Sequence, residues 1–186
     1  MTSFIGSLLV RLHLRVRPPS APESALLIPL PEVDGIIGHH RLRHDPSARN
    51  GVPAHVTLLY PFVSPAAIDD GVLTKVTDVV RDFRRFDVRF ERVGRFGEVV
   101  YLAPEPGDPF AEMTAALVRA FPKYPPYRGR FTKVIPHLTV AEHSSPPDLG
   151  DALAAELPVA AACREVWLMT EADSGQWSTR ERWTLL

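Results

Sequence analysis

The chain has 186 residues, 45% hydrophobic and 23% charged, enough to bury a core in one domain or in two small lobes that share one. A formal net charge of −1 excludes the broad cationic surface that extended duplex nucleic acid or an anionic membrane would require, and the one cysteine, Cys163, excludes an internal disulfide and a thiolate metal cluster. No run approaches the roughly 20 apolar residues of a membrane span, so a cytoplasmic protein without a membrane partner is expected.

In chain order, residues 1–22 read as an appended arm, flexible or forming an extra strand. Their apolar run, Phe4 to Val10, precedes Arg11, Arg15 and Arg17, the reverse of a signal peptide, and Pro18, Pro19 and Pro22 set the arm apart. Residues 23–186 are expected to form a single domain. Its first strand is Ala25 to Leu30. Asp34 then caps a short helix running to about His44, and Asp45-Pro46, Asn50-Gly51 and Pro53 mark a turn. That helix carries His39, His40, Arg41, Arg43 and His44. His40 and His44 stand four apart, as two metal ligands on one helix face would, but no acidic or cysteine partner with metal-site spacing accompanies them. A solvated basic face is the reading adopted, with no metal and no cofactor.

The segment from Pro53 to Phe62 reads as a strand. Ser64-Pro65 opens a helix whose inner face is Ile68, Val72, Val76, Val79, Val80 and Phe83. Phe86, Val88 and Phe90 alternate with charges, and a turn between Gly94 and Gly97 leads into Val99 to Leu102 as a hairpin. Asp108-Pro109 opens a second helix with Phe110, Met113, Leu117 and Phe121 inward, ended by Pro122. Residues 122–135 mix prolines, cations and aromatics and are expected to form a rim loop. A short helix follows from Asp148 to Leu157, then strands at Val166 to Met169 and Trp183 to Leu186 joined across a Ser174-Gly175 turn.

Two of these strands share a motif. Pro53-Ala54-His55-Val56-Thr57-Leu58 and Ile135-Pro136-His137-Leu138-Thr139-Val140 each place a histidine and a threonine two residues apart in an apolar run. Side chains on a strand alternate between faces, so His55 shares a face with Thr57, and His137 with Thr139, while Val56, Leu58, Leu138 and Val140 anchor the other side. Three of the seven histidines have Ser or Thr two places on, where chance predicts about one. The third, His143, runs into Ser144, Ser145, Pro146 and Pro147, a loop signature, and is set aside. Two such strands side by side would give a pocket with two imidazoles and two hydroxyls. Histidine near its unperturbed pKa of about 6.5 can serve as either acid or base, and the hydroxyls can donate to an oxyanion. A strand histidine taken singly is more often a hydrogen-bonded core residue; it is the shared framing of the two sites that favours catalysis. Tyr60, Phe62, Tyr124, Tyr127 and Phe131 read either as core packing or as surfaces for a base, and Arg128, Arg130 and Lys133 as a solvated face or as phosphate contacts.

These paired sequences resemble the His-x-Thr/Ser motifs of the two-histidine (2H) phosphoesterase superfamily, and its 2′-5′ RNA ligase-like branch in particular. The resemblance covers roughly residues 24 to 186. It implies an α+β fold of two pseudo-symmetric lobes with largely antiparallel sheets around a central cleft. It also implies metal-independent chemistry on a 2′,3′-cyclic phosphate or a 2′-5′ phosphodiester of RNA ends or small nucleotides, by a monomer. His137 would be the base and His55 the acid in hydrolysis, with Thr57 and Thr139 as stabilisers. Tyr60, Phe62, Tyr127, Arg128, Arg130 and Phe131 would contact substrate. The competing reading keeps the fold without catalysis, as a module that binds a nucleotide or RNA end. Gly-x-Ser-x-Gly, Walker A and dinucleotide-binding glycine signatures are all missing from the sequence.

Overall fold

The computed structural model describes residues 21–131, 134–142 and 145–186. Nearly all of the N-terminal arm, Lys133 and His143 lie outside the described residues. The elements are β1 (Ser24–Pro29), α1 (Pro31–His44), the one-turn α2 (Pro46–Arg49), β2 (His55–Leu59), α3 (Asp70–Val80), β3 (Phe86–Phe96), β4 (Val99–Glu105), α4 (Asp108–Ala120), β5 (Leu138–Ala141), α5 (Leu149–Ala154), β6 (Val159–Cys163), β7 (Glu165–Glu171) and β8 (Trp177–Thr184). Short 3-10 turns occupy Pro65–Ala67 and Pro126–Gly129.

The strands form two four-stranded antiparallel sheets, ordered β2-β1-β7-β8 and β5-β4-β3-β6. This is the α+β, two-lobed arrangement expected. Among the described residues both motif strands are edge strands, β2 pairing only with β1 and β5 only with β4. The helices are exchanged between lobes. α1 connects β1 to β2 yet packs on β5 and β6 of the other sheet, and α4, which leads from β4 toward β5, packs on β2. Each motif strand is therefore backed by a helix from the opposite half, and one continuous core results. Leu26, Val56, Leu58, Leu102, Phe110, Leu138 and Val140 are among its fully buried members. The expected inward residues of α4 (Phe110, Met113, Leu117, Phe121) are all buried.

Local chemistry moves several boundaries. α1 starts at Pro31, whose ring presets helical φ at the first position, and Asp34 lies inside its first turn. The Asp34 carboxylate instead accepts from the Ala54 backbone N–H at 2.6 Å. Ser64-Pro65 opens only the 3-10 turn; Ile68 is extended, and Asp69 caps α3 by accepting from Val72 N at 2.9 Å. β3 runs through Gly94 to Phe96, so the hairpin turns at Gly97, with φ of +56°, and Glu98. A strand no sequence pattern signalled, β6, is alanine-rich and has little β-propensity of its own; pairing with β3 and burial of Val159, Ala161 and Cys163 make it a strand. No helix among the described residues is long and apolar enough to cross a membrane.

Candidate active site

The two motif strands carry the same alternation. From His55 to Leu59 and from His137 to Ala141 alike, the first and third residues are half-buried and the second, fourth and fifth are buried. Histidine and threonine thus share the open face in both copies, as the period of two requires. Each imidazole is held in the same way: His55 Nδ1 lies 2.8 Å from the Pro53 carbonyl oxygen, and His137 Nδ1 lies 2.7 Å from that of Ile135. A carbonyl can only accept, so each neutral ring carries its proton on Nδ1 and presents the Nε2 lone pair away from its own backbone. The rings are close enough for the charge of His137 to act on His55.

A cleft of about 680 Å³ opens on the second motif. His137 and Thr139 line it together with Tyr60, Phe96, Tyr127, Arg128, Arg130, Phe131, Val134 and Glu142. His55 and Thr57 do not line it. Tyr127 provides the link, lining the cleft and sharing a hydrogen bond with the Thr57 hydroxyl. Its backbone N–H also donates to the Tyr60 carbonyl at 2.6 Å. Tyr127 and Arg128 both take left-handed conformations, φ of 51° and 56°, uncommon for residues with a Cβ. The bend that results turns both side chains into the cleft wall. Glu23 straps the same wall from β1's approach, accepting from the Tyr60 hydroxyl and from Arg128.

The other predicted contact residues divide. Tyr60, Tyr127, Arg128, Arg130 and Phe131 reach the cleft, with Phe131 exposed and edge-on to Tyr127. Phe62 does not. It is 5% exposed and packs edge-on against Phe121 at 4.9 Å and Tyr124 at 5.8 Å, so the core reading is the right one for Phe62 and for Tyr124 with it. Phe62 lies beyond the end of β2, where the strand alternation no longer governs its direction. Phe96, which sequence reasoning did not single out, meets His137 edge-on at 5.2 Å while stacking on Tyr101.

Arg41 corrects the reading of α1 as a solvated basic face. It is 1% exposed and makes five hydrogen bonds: to Asp34 (3.0 Å), Asp45 (2.8 Å), the Ser47 hydroxyl (3.4 Å), the Val52 carbonyl (3.4 Å) and, through Nε, the Thr139 carbonyl (3.2 Å). One guanidinium therefore touches the second motif directly and the approach to the first through Asp34, which grips Ala54 beside His55. Five donors in a rigid fork suit arginine to such a junction. The signal was the stripe Val33, Ile37, Arg41, spaced four apart, which is the buried face of α1.

The electrostatics favour neutral imidazoles in the unliganded protein. Burial, then the Arg41 charge, lowers the His55 pKa to about 4, with the Pro53 bond and Asp45 opposing. Burial also lowers that of His137, against the Ile135 bond. Tyr127 is raised to about 12 by burial and by Glu142, so its phenol stays protonated. Away from this face, His40 is paired not with His44 but with Glu156, 116 residues further on. Among the described residues, His39, His40 and Glu156 are the group whose donor atoms could hold an ion.

The sequence model of the 2'-5' RNA ligase superfamily matches residues 29–175. No curated protein sequence matches the chain. Among solved structures, Escherichia coli LigT complexed with NADP+ superposes with a TM-score of 0.58 at 22% identity, covering 89% of this chain and 99% of that one. LigT complexed with 3'-AMP gives 0.54 at 20% identity over 88% and 98%. The Thermus thermophilus protein TT0787 gives 0.60 at 18% identity over 88% and 97%. At such identities the likeness speaks for the fold.

Proposed function

The chain belongs to the 2'-5' RNA ligase superfamily, and from that premise we propose that it is a metal-independent phosphoesterase that opens 2′,3′-cyclic phosphates, or cleaves and joins 2′-5′ phosphodiesters, at RNA ends or on small nucleotides. The observation that carries this reading is the duplicated histidine geometry: two imidazoles, each tethered through Nδ1 to the carbonyl two residues back, with a threonine on the same face of each strand.

In the proposed hydrolysis, His137 Nε2 accepts a proton from water as the water oxygen bonds to phosphorus. The bond from phosphorus to one ribose oxygen breaks, and that oxygen takes the proton held on His55 Nε2. Joining is the same displacement with the 5′-hydroxyl of a second RNA end as nucleophile in place of water, one ribose oxygen again leaving with a proton. Cleavage of a 2′-5′ diester is its reverse, in which the neighbouring ribose hydroxyl attacks, the 5′ oxygen leaves and the two histidines exchange roles. Both Nδ1–H groups keep their carbonyl partners throughout, so neither ring must reorient between states. The Thr57 and Thr139 hydroxyls donate to the non-bridging oxygens, a contribution worth on the order of 10²–10³-fold in rate for one such donor. For Thr57 this means exchanging its bond to Tyr127 for one to phosphate. The anionic phosphate supplies what the free site lacks, a charge that offsets burial and Arg41 and lets the acid imidazole hold its proton.

Tyr60, Tyr127 and Phe131 offer faces for a nucleobase, and Arg128 and Arg130 offer cationic donors for phosphate. A nucleotide-sized ligand fits the cleft volume, and LigT has been crystallised with NADP+, 3'-AMP and ATP. The single free cysteine, buried at Cys163, suits action in the reducing cytoplasm. The test is product formation from a 2′,3′-cyclic nucleotide in EDTA-containing buffer. Release of a single phosphomonoester supports the enzyme; saturable binding with no product would establish the non-catalytic nucleotide-binding module instead.

A further inference from the structure

On the side of α1 that carries His39 and His40, the segment following α5 brings up Glu156. His40 Nε2 lies 3.0 Å from Glu156 Oε1, and His39 Nε2 lies 3.7 Å from the same oxygen. All three donor atoms fall within 4.8 Å of one another. A tetrahedral ion with bonds of about 2.0–2.2 Å holds its ligand atoms roughly 3.4 Å apart, between the two separations found. The His39 ring is oriented from outside: its Nδ1 faces the Ile36 carbonyl at 3.2 Å, so Nδ1 carries the proton and the Nε2 lone pair is free toward Glu156. The two rings approach to 3.9 Å between centroids with a 38° tilt. Side-chain exposure grades from 12% at His40 through 27% at Glu156 to 54% at His39, so His39 is the member most open to solvent.

We propose that His39, His40 and Glu156 form a divalent transition-metal site of zinc type, completed by water, that fastens α1 to the α5–β6 connection. Two imidazoles and one carboxylate are a donor set for zinc, cobalt, nickel or copper and a poor one for magnesium or calcium, which prefer all-oxygen shells. On binding, His40 gives up the Nε2 proton it donates to Glu156, to its own Nδ1 or to solvent, and the ion takes that proton's place. Arg41 follows His40 directly, so the ion would brace the helix that presents Arg41 to both motifs. The site takes no part in the phosphoryl chemistry. It also replaces the pairing of His40 with His44 that helical spacing suggests, because the carboxylate comes from a distant part of the chain.

The experiment uses the full chain without a histidine tag, stripped with EDTA and dialysed. Zinc chloride is titrated calorimetrically and by thermal melting, and cobalt(II) is added to read the visible absorption of a tetrahedral ion. One zinc per chain, a raised melting temperature and cobalt bands are expected, with no shift from magnesium or calcium. His39→Ala, at an exposed position, and Glu156→Gln, whose amide oxygen can still accept from His40, should melt like the parent without metal. Their zinc affinity should fall by at least the roughly 10–100-fold that loss of a mere supporting partner already costs. His44→Ala should bind as the parent does. The absence of any zinc-dependent shift in the parent would overturn the proposal. So would a shift that survives in His39→Ala and Glu156→Gln, or one that disappears in His44→Ala or His55→Ala, since the ion would then sit elsewhere.

Discussion

Replacing Arg41 by methionine removes five hydrogen bonds while filling much of the same volume, and its cost can be worked out from the partners left behind. Asp45 is 1% exposed, and among the described residues its carboxylate keeps only Ser47, through its N–H at 2.9 Å and its hydroxyl at 2.7 Å. Breaking a buried pair by deleting one partner costs about 3–5 kcal/mol because the other charge stays buried without compensation. Urea unfolding should therefore show Arg41→Met destabilised by about that amount. Adding Asp45→Asn should recover a substantial part, since the orphaned carboxylate is the larger liability and asparagine can still accept from Ser47. The double variant then reports on catalysis in a folded protein. Arg41 is the second-largest influence lowering the His55 pKa, so its removal lets His55 keep its proton to higher pH. Asp45→Asn also removes a charge that raises the His55 pKa, but a smaller influence than Arg41, so with His55 as the acid the alkaline limb of kcat/KM should still move upward in the double variant. A loss of less than about 1 kcal/mol in Arg41→Met, or an alkaline limb that stays put, would refute the reasoning.

In the parent protein, both imidazoles are held below their ordinary value, so in kcat/KM the base stays neutral to lower pH than an ordinary imidazole and the acid loses its proton early as pH rises. The profile should be a bell centred below about 6.5, the unperturbed histidine value, with the kcat profile displaced upward because bound phosphate favours protonation; a bell centred above neutrality in kcat/KM would contradict the site electrostatics. Thr57→Val and Thr139→Val keep the β-branched shape and should fold normally while losing on the order of 10²–10³-fold in kcat, measured at saturating cyclic nucleotide. Cys163 is buried, with its thiol pushed up to about 12 by burial and by Glu32 and Asp87. The native protein should resist alkylation by iodoacetamide that goes to completion in urea, and Cys163→Ser should turn over at the parental rate.

The parts of this molecule legible in the sequence are those that obey a local period. β2 and β5 could be read because histidine and threonine alternate with Val56, Leu58, Leu138 and Val140, and burial follows that alternation residue by residue. α4 could be read because Phe110, Met113 and Leu117 recur on one face after a proline start. What escaped were contacts between distant segments. Asp34 looks like a cap and is in fact a bridge to Ala54; Glu23 sits in a nondescript approach to β1 and straps Tyr60 and Arg128. Arg41 was masked by its neighbours, since His39, His40, Arg43 and His44 make the helix look uniformly wet, although its spacing from Val33 and Ile37 places it inside. The exchange of α1 and α4 between lobes leaves no trace in either helix's own pattern, because an apolar face does not say which sheet will cover it.

The central claim is that His55 and His137 act as one acid and base pair on a phosphodiester. The most direct measurement is single-turnover hydrolysis of a 2′,3′-cyclic nucleotide in EDTA by the parent, His55→Ala, His137→Ala and the double variant, each checked for folding by circular dichroism. Each single change should cost roughly 10²–10⁴-fold, the range for one general acid or base, and the double should lose far less than the product of the two because neither histidine works without the other. Full activity in either single variant, or activity in the parent that vanishes with EDTA and returns with a divalent metal, would contradict the account.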